Sequence, residues 1–147
     1  MINLVLVGQV GVLPYRIVDG DVECMLVTSR TSRRWIVPKG HIEPGLTARE
    51  TARFEAFEEA GLSGVVARRP IGSYVYTKRR EKGGDTCRVR VYPMEVVHQA
   101  EDYPESRLRE RAWYGPEEAE QAVGQKELGR LIRKFAEERL ARADRAD

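Results

Sequence analysis

The segment Thr47–Gly61, TARETARFEAFEEAG, does most to limit the folds open to this chain. Thr47 and Glu50 have the spacing of a capping box, and Gly61 supplies a C-terminal stop, so the segment reads as a single helix. It stands between stretches that read as strands. Leu4 to Leu13 and Val22 to Ser29 carry β-branched and apolar runs, with VDGD as the turn between them. RWIVP is a short strand stopped by Pro38. After the helix, VVARRPIGSYVYTK and TCRVRVYPMEVV look like two long strands, and REKGGD between them predicts a hairpin. GPEEAEQAV opens a helix with Pro116 at its first position. A last helix is expected from about Lys126 to Leu140, with Leu128, Leu131, Ile132 and Phe135 facing inward. The charged end, ARADRAD, reads as a tail that frays from about residue 143. Strands, a helix, more strands and two helices predict an α+β domain with a mixed sheet rather than a regular βαβ repeat. The length of 147 residues suits one domain with its own core.

The same helix carries Glu55, Glu58 and Glu59. Residues at i, i+3 and i+4 share a helix face, here within about 100° of arc. Like charges so placed repel by a few tenths of a kcal/mol each. They also sit in the half of the helix where the dipole disfavours negative charge. A divalent cation would relieve both effects. Magnesium takes oxygen ligands and is usually held by one or two carboxylates plus substrate phosphates. Taken by itself, the pattern is also that of a solvated acidic face.

The surroundings decide between these readings. GHIEPGLTARETARFEAFEEAGL resembles the signature of the Nudix hydrolases, G-x5-E-x7-R-E-U-x-E-E-x-G-U, where U is aliphatic. Gly40, Glu55, Glu58, Glu59, Gly61 and Leu62 match in register, and Ala56 fills a U position loosely. Leu46 stands where the first glutamate is expected, and Phe54 where the arginine is expected. That arginine helps to orient the glutamate beside it in the family. Arg53 lies about 100° around the helix and is no simple substitute. Beyond the box, LPYR, LVTSRTSRRWIVPKGHIE, PIGSYVYTK and VRVYPMEV look like the diphosphoinositol polyphosphate phosphohydrolase branch.

The resemblance implies an α/β/α sandwich with a mixed central sheet. It implies hydrolysis of a diphosphate bond, with Mg²⁺ or Mn²⁺ held by Glu58, Glu59 and Glu55 and by the Gly40 carbonyl. Glu55 is the residue carried over as general base. Glu43 is a further loop carboxylate that could hold a second metal, and Glu101 or Glu105 could join from later loops. The expected substrate is a small-molecule polyphosphate, such as a diphosphoinositol polyphosphate or a dinucleoside polyphosphate. The alternative is a Nudix-fold ligand-binding or regulatory module whose catalysis is weakened by Leu46 and Phe54.

Charge is unevenly spread although the net value is only +2. Arg30 to Lys39 holds four basic residues and no acid, and Lys78 to Arg90 holds six bases and two acids. Arg33, Arg34, Lys39, Lys78 and Arg88 are therefore the candidate contacts to substrate phosphates. Nucleic acid is not an expected partner, because aromatic and basic residues do not interleave. No apolar run approaches the roughly 18 residues that span a bilayer. The N-terminal segment reads as a strand and lacks a basic n-region, so a cytoplasmic location is expected, with monomer and homodimer both open. Cys24 and Cys87 show no ligand spacing and read as reduced thiols. Trp113 and Tyr114 read as packing residues, and Trp35 as a core residue that could instead stack on a base or sugar. His41 is given no chemical role, and His98 is placed on the surface.

Overall fold

The computed structural model describes residues 6–78 and 84–146. Strand β1 (Leu6–Val18) turns at Asp19 and Gly20, both with positive φ, into β2 (Asp21–Thr28). A two-residue Asp-Gly loop of this kind matches the twist of paired strands. Two short strands follow, β3 (Trp35–Ile36) and β4 (Lys39–Gly40), then helix α1 (Ala48–Ala60). Next come β5 (Leu62–Val66), β6 (Gly72–Thr77), β7 (Thr86–Gln99) and β8 (Arg111–Tyr114). Helices α2 (Pro116–Val123) and α3 (Lys126–Ala146) close the described chain.

The strands form one mixed sheet in the order β3-β2-β1-β7-β5, with β4 added to β1, β6 to β7 and β8 to β2. β1 and β7 run parallel at its centre, and every other pair is antiparallel. Helix α1 covers one face: Ala52, Ala56 and Ala60 pack with Val10, Val12, Met25, Leu62 and Met94. Helices α2 and α3 cover the other: Val123, Leu128, Ile132 and Phe135 pack with Leu13, Leu26, Val89 and Val91. The expected α/β/α sandwich is the observed architecture.

Two expectations are corrected. The stretch Val65–Lys78 is two strands rather than one, broken at Arg68, Arg69 and Pro70; both pieces pair with β7. Trp113 and Tyr114, expected to pack against the sheet, are themselves part of it, in strand β8 paired with β2. Helix α3 does not stop at Leu140 but continues to Ala146, since no glycine or proline lies between those two residues. The hairpin between β6 and β7 forms as expected, closed by Thr77 opposite Thr86 and by the Lys78 amide bonded to the Asp85 carbonyl at 2.8 Å. Part of its tip, at residues 79–83, lies outside the described residues, so of the basic stretch Lys78–Lys82 only Lys78 is described.

Helix α1 is fixed at both ends. Thr47 Oγ1 accepts from the Glu50 amide, and the Glu50 carboxylate accepts from the Thr47 amide. Gly61 ends it in the left-handed region at φ 69°, with the Tyr103 ring against its Cα. Its last turn is held by the segment 100–111. The Ala100 amide donates to the Gly61 carbonyl, the Glu105 amide to Glu58 and the Arg111 guanidinium to Ala60. Those donors satisfy carbonyls that a helix end leaves open. A Cβ at position 61 would meet both backbone strain and Tyr103, so Gly61→Ala is expected to destabilise the fold by more than about 1 kcal/mol in urea denaturation.

Candidate active site

Ala52, Ala56 and Ala60 lie four residues apart and are fully buried. Their small side chains let α1 approach the sheet closely. The residues just before each alanine, Thr51, Glu55 and Glu59, are drawn into the same interface. Glu55 is 9% exposed and Glu59 2%. Carboxylates are rarely buried to this degree unless they are paired or used.

Glu59 has cationic and hydrogen-bonding partners. Arg109 contacts it at 3.1 Å, and the Lys39 backbone amide donates to it at 3.0 Å. Burial still outweighs them and pushes its carboxyl up to about 7. Glu55 is different. Burial, and after it the carboxylates of Glu59, Glu105, Glu58 and Glu43, push it up to about 8. Its carboxylate lies directly over Gly40, where any Cβ would overlap it. Gly40 thus leaves the space that the Glu55 carboxylate occupies.

The predicted residues divide cleanly. Gly40 lies against the Glu55 carboxylate, Glu59 accepts from the neighbouring Lys39 amide, and Glu58 is one of the carboxylates acting on Glu55. Glu105 joins them through its influence on Glu55 and Glu59, whereas Glu101 is exposed and acts on neither. Glu43 is exposed but is one of the carboxylates acting on Glu55. His41 and His98 are exposed. The donors here are hard oxygens and their charges repel, which suits a divalent cation such as Mg²⁺. Among the described residues, no three Asp, Glu, His or Cys side chains converge with ligand spacing. Glu59 is turned to Arg109 and the Lys39 amide instead, and its oxygens retain lone pairs for a metal.

The basic residues are less united. Lys39 and Lys78 border a cavity of about 380 Å³ on the α2–α3 side, together with Arg34, Trp35, Tyr74, Tyr76, Val123 and Leu128. Trp35 is thus a cavity wall, set edge-on against Tyr114 rather than buried in the core. Lys39 Nζ lies over the Tyr76 ring and donates to its hydroxyl at 3.1 Å; the hydroxyl in turn donates to the buried Gln9. Burial lowers the Lys39 pKa. Arg33 does not face this cavity. It holds the left-handed conformation at φ 57° and turns to the Leu108 carbonyl and Glu110. Arg88 also lies elsewhere: it alternates with the inward Cys87 and Val89, so it emerges on the α1 side of β7.

Arg109 escaped the sequence reading altogether. It is nearly buried, and it reaches Glu59, Glu105 and the Thr28 carbonyl at once. No local spacing ties residue 109 to residue 59; only the docking of the segment 100–111 on α1 brings them together.

The model of the NUDIX domain matches residues 8–135. The chain belongs to the NUDIX domain family. Among relatives, Nudix hydrolase 12, mitochondrial, of Arabidopsis thaliana is 28% identical over 142 residues, covering 85% of this chain and 70% of that protein. Diphosphoinositol polyphosphate phosphohydrolase 3-beta of Bos taurus is 36% identical over 100 residues, which is 66% of this chain and 57% of that protein. The likeness to that branch is thus shorter than the likeness to the plant Nudix hydrolase. Among solved structures, an Ap4A hydrolase of C. elegans superposes with a TM-score of 0.62 at 24% identity, covering 89% of this chain and 96% of that one. At that identity the superposition speaks to the fold.

The buried acids make stability depend on pH in a definite direction. Glu55 and Glu59 bind protons more tightly folded than unfolded, so unfolding releases protons between the ordinary carboxylate range and about 8. Their unfavourable contribution is absent at pH 4 and complete above about 8. The Tm of the metal-free protein is therefore expected to fall as pH rises from 5 to 8. Glu55→Gln should flatten that decline, and millimolar Mg²⁺ should reduce it; thermal melts across this range check both.

Proposed function

We propose that this chain is a metal-dependent hydrolase that cleaves a diphosphate bond in a nucleoside-linked or otherwise polyphosphorylated small molecule by attack of water on phosphorus. The observation that carries the reading is the double role of Lys39. Its amide bonds the buried Glu59, while its ammonium borders the aromatic cavity. A diphosphate lying along β4 would meet both.

Each residue then has a task. Glu58, Glu59 and the Gly40 carbonyl would hold the Mg²⁺ or Mn²⁺, and Glu105 and Glu43 are carboxylates within reach of a second ion's charge. The bound cation would supply charge neutralisation to the diphosphate oxygens and acidity to the attacking water. Glu55 is the general base, because its surroundings raise its proton affinity into the neutral range. The Lys39 ammonium, fixed by Tyr76, binds a phosphate of the leaving side, and Arg34 and Lys78 bind those further out. Trp35, Tyr74 and Tyr76 give the cavity flat apolar walls of the kind a base or sugar packs on.

That cavity favours a nucleoside-bearing substrate, a dinucleoside polyphosphate for example. A second reading, a diphosphoinositol polyphosphate, is supported by the 36% identity to the bovine enzyme and by the exposed Arg34 and Arg88. A panel of nucleoside diphosphate derivatives, dinucleoside polyphosphates and inositol pyrophosphates, with product identification, separates the two. We expect hydrolysis that needs Mg²⁺ or Mn²⁺ and falls about 10²–10⁴-fold in Glu55→Gln. Trp35→Ala should raise KM for nucleotides and leave it unchanged for inositol pyrophosphates. A panel left untouched with both metals would sink the enzymatic reading and leave a ligand-binding module.

A further inference from the structure

The signature expects an arginine at position 54, and this chain has phenylalanine. Phe54 is 46% exposed, and it borders a surface groove with Leu46, Phe57 and Gly64. Both departures from the signature therefore line one surface groove, which Glu50, Arg53 and Ser63 also border. Around the helix, position 54 lies about 140° from Glu59 and 100° from Glu55. Nothing at that position in this chain can orient the buried acids.

Arg109 sits where such an orienting group is needed. Its side chain is 10% exposed. One nitrogen, Nη2, contacts Glu59 Oε1 at 3.1 Å, and Nε contacts Glu105 Oε1 at 3.1 Å. The third, Nη1, donates to the Thr28 carbonyl at 3.0 Å, which ties the guanidinium to the end of β2. The Thr28 side chain adds to the brace, since its hydroxyl accepts from the Glu110 amide at 2.9 Å. A planar fork with all three of its nitrogens engaged has one orientation, and both carboxylates take their positions from it. Lysine also has three N–H donors, but all on one nitrogen, which cannot reach partners spaced around the Nε, Nη1 and Nη2 positions of a guanidinium.

We propose that Arg109 is the positioning residue of the carboxylate cluster, supplying from the segment 100–111 the guanidinium that the signature places on the helix. The inference rests on the functional reading above. Arg109 does not border the aromatic cavity; its charge acts on Lys39, and Arg109→Lys keeps that charge. Its loss should therefore act on the metal site and on kcat rather than on KM.

The test compares Arg109→Lys, Arg109→Met and Phe54→Arg with the wild-type protein. Mn²⁺ binding is read directly by electron paramagnetic resonance, and kcat and KM are measured on whichever substrate the panel identifies. Arg109→Lys keeps the charge and loses the fork. We expect it to weaken Mn²⁺ binding or lower kcat by about 10- to 100-fold, with altered Mn²⁺ line shape and KM within about two-fold of wild type. Phe54→Arg should leave all three readings unchanged. If only the charge of Arg109 mattered, Arg109→Lys would behave as wild type and Arg109→Met would bind Mn²⁺ more tightly; that pattern overturns the inference. So does a raised KM at constant kcat, or an activity loss matched by the loss of folded protein in circular dichroism. A gain of activity in Phe54→Arg overturns it as well. A wild-type protein that binds no Mn²⁺ even with a non-hydrolysable diphosphate instead overturns the functional reading beneath it.

Discussion

Glu55 is buried against the sheet, and the charges that act on it most strongly are carboxylates. Much of the site follows from that arrangement. The alanine ridge of α1 brings the helix close enough to bury Glu55 and Glu59. Gly40 leaves the room that the Glu55 carboxylate fills. The segment 100–111 bonds the last carbonyls of α1 and brings both a further acid, Glu105, and the guanidinium of Arg109. A buried acidic cluster is unfavourable in isolation, since desolvation and mutual repulsion act in the same direction. It persists because the surrounding contacts, chiefly hydrophobic burial on both faces of the sheet, hold it in place. Strain of this kind is expected where a cation or a proton completes the site.

The sheet divides the site between its faces. The carboxylates belong to the α1 side, and the aromatic cavity to the α2–α3 side. β4 joins them: its two residues point to opposite faces, Gly40 toward Glu55 and Lys39 toward Tyr76. Strand alternation alone produces this geometry. It also explains why Arg88 and Lys78, both basic and both near the hairpin, fall on different sides.

What could be read in the sequence is what short-range rules control. The capping box, the Gly61 stop, the three-glutamate face and the Asp-Gly turn each involve residues within a few positions, and each forms as expected. The break between β5 and β6 was signalled by Pro70 but masked by the apolar residues on either side. Strand β8, the parallel pairing of β1 with β7, and the reach of Arg109 to Glu59 depend on contacts between distant segments. Period and propensity carry no information about those. The ranking of Glu105 above Glu101 had the same origin: both are loop acids, and only the Glu105 amide bond to Glu58 places one of them at the helix.

The two buried glutamates are chemically unlike, although the sequence presents them as equivalents. Glu59 receives Arg109 and the Lys39 amide, groups that favour its charged form and offset part of the desolvation. Glu55 is surrounded by negative charge and is pushed further, to about 8. Environments that separate the pKa values of neighbouring acids divide acid–base roles between them. The proposed division of roles, with Glu59 holding a cation and Glu55 taking a proton from water, rests on this difference in partners. Leu46 and Phe54 leave that division intact, because it is set by the loop arginine and by the neighbouring carboxylates rather than by the far side of the helix.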